Sequence, residues 1–149
     1  KVPDNWWHDE GYYNVPLDEF TAAVPAALNK GYTVVFAADS GEPGNRGDAD
    51  IAVVPSFDIP RAAIDQSSRE LRFVQGASTD DHVVHCVGLK EGGPETWFLI
   101  KDSWRTAYLG TVKGFFLTSW WLFKSLLLHM NSFRRILLLL TLLLLGLTR

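Results

Sequence analysis

Cysteine is nearly missing from this chain: Cys86 is the only one in 149 residues. That excludes an internal disulfide framework and any zinc site built on thiolates. The histidines and carboxylates show no metal-ligand spacing in its place, so neither a metal nor a cofactor is expected. Clustered positive charge is missing too. Fourteen Lys and Arg against 17 Asp and Glu leave a net charge of −3. The cations after Asp102 (Arg105, Lys113, Lys124, Arg134, Arg135 and Arg149) are scattered, so no nucleic-acid partner is expected. That stretch holds no acid, whereas residues 1–50 carry nine acids against three bases. No N-terminal signal segment, internal repeat or interdomain linker is legible. The chain starts at Lys1 rather than Met, which reads as an excised domain, a mature product or a fragment. One lone thiol leaves the compartment unknown.

What is present is globular: 47% of residues are hydrophobic and 21% charged. A chain of this length buries roughly two thirds of its unfolded surface, enough for a core without covalent staples. The aromatic and acidic segment from Lys1 to Asn14 reads as irregular. Val15-Pro16 opens a helix, with Pro16 in its first turn and Asp18 and Glu19 at its positive end. Leu17, Phe20, Val24 and Leu28 form one apolar stripe. Pro25 is expected to kink or weaken that helix, and Asn29-Lys30-Gly31 to stop it. Tyr32 to Ala38 reads as a buried strand and Ser40 to Asp50 as a mobile surface loop. Ile51 to Ile59 is extended at most, and Ile59 to Arg72 holds one or two helical turns. Val83 to Leu89 and Thr96 to Lys101 make a hairpin around Glu91-Gly92-Gly93-Pro94. Lys113 to Thr118 is a further strand. One main N-terminal helix followed by strands without βαβ alternation predicts an α+β fold with an antiparallel sheet.

Two stretches flank the hairpin. The first is Thr79-Asp80-Asp81-His82-Val83-Val84-His85-Cys86-Val87-Gly88, and the second is Trp97-Phe98-Leu99-Ile100-Lys101-Asp102-Ser103-Trp104. His82 lies at the mouth of one strand and Asp102 at the exit of its partner. In an antiparallel pair such ends are neighbours, which brings imidazole and carboxylate within hydrogen-bond reach. A histidine oriented by a carboxylate or amide is the base half of a nucleophilic triad.

These paired motifs resemble the histidine and asparagine regions of papain-like cysteine peptidases, most closely the bleomycin hydrolase and aminopeptidase C branch. Arg69-Glu70-Leu71-Arg72-Phe73 before the histidine and Lys113-Gly114-Phe115-Phe116 after the second motif add to the likeness. It covers about Tyr12 to Phe123, the C-terminal half of the family domain. The resemblance implies a papain-like C-terminal (right-hand) subdomain, an antiparallel sheet or half-barrel spanning residues 1–125. It also implies peptide-bond hydrolysis through a thiolate/imidazolium pair acting on a peptide substrate. His82 would be the catalytic histidine, position 102 would orient its ring, and Trp104 would shield that hydrogen bond from water. The family usually has asparagine where this chain has Asp102. An aspartate still accepts the imidazole proton and its charge favours the imidazolium; the alternative is a catalytically inactive papain-like binding or scaffold module.

The nucleophilic cysteine and the glutamine of the oxyanion hole belong to the family's N-terminal half, and neither is found here. Cys86 lies inside a strand, where apolar burial keeps a thiol inert. The chain alone is therefore expected to be inactive, its partner being the missing half that carries the cysteine. His85 should point to the opposite face from His82. His8 and His129 have no partner pattern, Asp80 and Asp81 read as solvated, and Trp6 and Trp7 as buried. Residues 126–149 form an atypical leucine-rich tail. Ile136 to Leu147 would make a helix of roughly 18 Å, short of the ~30 Å hydrocarbon core. That leaves interfacial membrane contact or self-association as its use. Because leucine replaces the charged ending that the resemblance calls for, residues beyond about 125 also read as out of frame or otherwise non-native.

Overall fold

The computed structural model describes residues 15–39, 44–54, 59–77, 82–104 and 113–126. They form an α+β fold in which helices cover one face of a single mixed sheet. Helix α1 runs Leu17–Asn29, with Leu17, Phe20, Val24 and Ala27 buried along the stripe seen in the sequence. Pro16 stands one place earlier than expected, at the cap itself, and brings no side-chain hydrogen bond. Gln66 supplies the missing acceptor from 49 residues away, its Oε1 taking the Leu17 N–H at 2.8 Å. Pro25 does not interrupt the element, which continues to Asn29. The helix ends at Gly31 (φ +85°), with the Gly31 N–H on the Leu28 carbonyl and the Tyr32 N–H on Ala27. Those two bonds satisfy carbonyls that a helix end would otherwise leave open, and glycine takes the left-handed turn without strain.

Six strands follow: β1 Val34–Ala38, β2 Asn45–Arg46, β3 Ile51–Ala52, β4 His82–Lys90, β5 Trp97–Lys101 and β6 Phe115–Ser119. Their order across the sheet is β1-β4-β5-β6-β3-β2. The expected hairpin is β4 with β5, its register slipping by one residue between Cys86 and Gly88. The antiparallel expectation fails at one place: β3 joins β6 in parallel, with Ile51 opposite Leu117. The chain between them passes through a helix and the whole β4–β5 hairpin, a crossover long enough to return β6 in the direction of β3. The segment read as a loop also carries structure, since Asn45–Arg46 pairs with Ile51–Ala52. Two-residue strands leave no alternation to read.

Helix α2, Gln66–Val74, follows a 3₁₀ turn at Arg61–Ala63. Helix α3, Trp120–Leu126, begins directly after β6 and was not anticipated. Its Phe123 is fully buried and is the hub of the core. The ring lies 4.2 Å from Phe98, 5.4 Å from Phe36 and 6.4 Å from Phe20 between centroids. One helix and two strands thus meet on a residue close to the predicted end of the domain. Residues 1–14 and 127–149, including His8, His129, Trp6, Trp7 and the leucine run, lie outside the described residues. Among the described residues no helix is long and apolar enough to cross a membrane.

Candidate active site

The sheet registers determine which side chains share a face. Ala38 of β1 pairs with His82 of β4, and Cys86 of β4 pairs with Ile100 of β5. Successive residues alternate faces, so His82, Val84 and Cys86 line one side together with Phe98, Ile100 and Asp102. That is the core side, and four of the six are at most 9% exposed hydrophobic residues. At its end the apolar lining gives way to one imidazole and one carboxylate. Continuing the register puts Asp102 opposite Val84, so His82 reaches it along the diagonal.

The contact is close. His82 Nε2 lies 3.0 Å from both Oδ1 and Oδ2 of Asp102. An ionised carboxylate only accepts, so Nε2 carries the hydrogen. Among the described residues no hydrogen bond reaches the other ring nitrogen, Nδ1. The side chains are 22% and 3% exposed respectively, so the carboxylate is enclosed while the ring edge meets solvent. Asp102 Oδ1 also accepts the backbone N–H of Trp104 at 3.1 Å and lies 3.5 Å from the Ser103 hydroxyl. Its own N–H is donated to the Gly114 carbonyl at 2.8 Å, which ties the strand exit to the start of β6. The Trp104 indole stands tilted against the His82 ring with centroids 5.8 Å apart, yet the residue is 65% exposed. It covers one side of the imidazole and keeps most of its own surface in water.

The other titratable candidates separate from this pair. Cys86 is fully buried, and burial pushes its thiol up to about 12. Four residues of strand place it about 13 Å from His82 along β4. His85 sits on the opposite face of β4, half-buried, between Val35 of β1 and Lys101 of β5. Asp80 and Asp81 lie outside the described residues. Among the described residues no group of three or more His, Cys, Asp or Glu is placed to hold a metal ion. Sequence reasoning missed the parts Gly114 and the Trp104 amide play. The Asp-Ser-Trp run carried a readable signal for the second, because an aspartate that accepts the amide two residues on is a common local turn.

No protein-family model matches the chain, and no curated protein does. Among solved structures its fold is similar to that of PepW from Lactobacillus rhamnosis HN001. The TM-score is 0.55 at 18% identity, over 80% of this chain and 26% of that one. The chain therefore spans about a quarter of the length of that neighbour, and the likeness is one of fold.

Proposed function

We propose that this chain is the histidine-bearing half of a papain-like cysteine peptidase of the bleomycin hydrolase type, with its nucleophile supplied by another segment. The observation that carries the reading is the His82–Asp102 contact, which uses Nε2 and leaves Nδ1 for a thiol. A histidine held through one nitrogen is fixed in orientation and tautomer, which a base in a nucleophilic pair requires. The fold shared with PepW supports the architecture half of the reading; the chemistry rests on the residues.

In this reading a thiolate paired with the His82 imidazolium attacks the carbonyl carbon of a peptide. As the carbon–nitrogen bond breaks, the imidazolium gives its proton to the leaving amine, and a thioester remains. The neutral ring then takes a proton from water as that water attacks the thioester, and the thiolate leaves. Asp102 keeps the ring aimed and balances its charge during both transfers. Trp104 limits water on one side of the pair. Cys86 takes no part, because a buried thiol near 12 supplies no thiolate at neutral pH. The chain alone is accordingly inactive.

The test uses the parent protein with the upstream half in place, exposed to a thiol-directed electrophile. Labelling is expected, with loss of rate by about a hundredfold in His82→Ala, the scale of one general acid–base group. Unchanged labelling in the variant would remove His82 from catalysis and favour a binding module that keeps the fold without the reaction.

A further inference from the structure

At the far end of the β4–β5 hairpin, about 26 Å along β4 from His82, lies a cavity of about 340 Å³. Its walls include Glu91, Pro94 and Glu95 of the hairpin turn, Pro25 of α1, and Trp120 and Trp121 of α3. None of these belongs to the site already described. The size is at the lower end of the range for small-ligand sites, suited to one side chain rather than a cofactor.

The indoles are adjacent in a helix, so they face about 100° apart and form two different walls. Trp120 is held in place: its ring stacks on Phe98 at 5.8 Å, and its backbone N–H is donated to the Thr96 carbonyl at 2.9 Å. Aromatic faces attract cations, two carboxylates add negative charge, and the prolines offer an apolar rim for a methylene stem. The molecule already shows which cation this chemistry takes. The Arg61 guanidinium stands 5.1 Å over the Trp121 ring and 3.9 Å from Glu95 Oε1. A planar guanidinium can stack on an indole and fork to a carboxylate together, which an ammonium cannot.

We propose that this pocket binds an arginine side chain of a peptide or protein ligand. The guanidinium stacks on Trp121 and bonds Glu91 and Glu95, in competition with Arg61, which partly neutralises the same carboxylate.

The test is an NMR titration of the intact chain, following the indole N–H signals of Trp120 and Trp121. The probes are N-acetyl-arginine amide, its citrulline counterpart and free arginine. The arginine amide should shift both signals saturably, and the uncharged citrulline amide should not. Glu91→Gln with Glu95→Gln should weaken binding by about tenfold, and Arg61→Gln should tighten it by about twofold to threefold. Glu91 and Glu95 line the pocket and Arg61 lies beside it over Trp121, and circular dichroism checks that the changes leave the fold intact. Equal binding of citrulline, an unaffected double variant, or weaker binding in Arg61→Gln would overturn the proposal. A clear preference for free arginine over the capped amide would overturn its peptide part.

Discussion

The His82 imidazole and the Asp102 carboxylate lie 20 residues apart in sequence and meet through one nitrogen and two oxygens, each 3.0 Å away. The hairpin register produces that meeting, and Asp102 is its enclosed member. The carboxylate also answers the Trp104 amide and the Ser103 hydroxyl. Asp102→Ala should therefore cost about 1–3 kcal/mol, the desolvation penalty for donors left without an acceptor. Asp102→Asn keeps an oxygen for these donors and should cost less than half as much. Urea midpoints of the three proteins check this ordering, and equal losses would mean that the carboxylate is not what holds the turn.

Gly114 fixes the same turn from the other side. Its carbonyl accepts the Asp102 N–H at 2.8 Å while its backbone sits at φ +80°. An L side chain pays about 1–2 kcal/mol in that region. Gly114→Ala should therefore lower stability by about that amount and shift the His82 ring signals in an NMR spectrum, through a bond that backbone atoms alone make to Asp102. A stability loss with unmoved His82 signals would confine the role of Gly114 to the backbone.

Phe123 tests where the folded unit ends. Its ring is buried against Phe20, Phe36 and Phe98, from α1, β1 and β5. Replacing it with alanine removes those contacts and leaves a cavity, at a cost of about 3–5 kcal/mol. Thermal unfolding should show the loss as a large fall in Tm. A fall of only a few degrees would mean that α3 contributes little to the core.

Much of this was legible because the relevant patterns are local. The α1 stripe, Gly31 and the β4–β5 hairpin each announce themselves within a few residues, and the hairpin alone suffices to bring His82 to Asp102. The parallel β3–β6 pair was not legible, since two-residue strands carry no periodicity and their partner lies more than 60 residues away. Helix α3 was hidden for another reason. Trp120-Trp121-Leu122-Phe123 is almost wholly apolar, so no polar face marks a helical period. The Gln66 bond to the start of α1 is equally unreadable, because nothing in the sequence of a helix names a cap supplied by a distant side chain.

Cys86 gives a prediction with a definite sign in pH. Burial pushes the folded thiol up to about 12, from an ordinary value of 9.0. Between those values the unfolded chain has lost the proton that the folded chain retains. Stability from this group is thus fully present below about pH 9 and is lost as pH rises toward about 12, with a slope of up to about 1.4 kcal/mol per pH unit. Lysines and tyrosines titrate over the same range, so the comparison is with Cys86→Ala, which removes this contribution and leaves theirs. The gap between the two proteins in urea midpoint should narrow from about pH 8 to about pH 10.5. A maleimide should label the native thiol only as fast as the protein unfolds, because the sulfur is both covered and protonated. Rapid labelling of the folded chain would mean that the β4 strand opens on its own, and Cys86 would then have to be reconsidered as a reactive group.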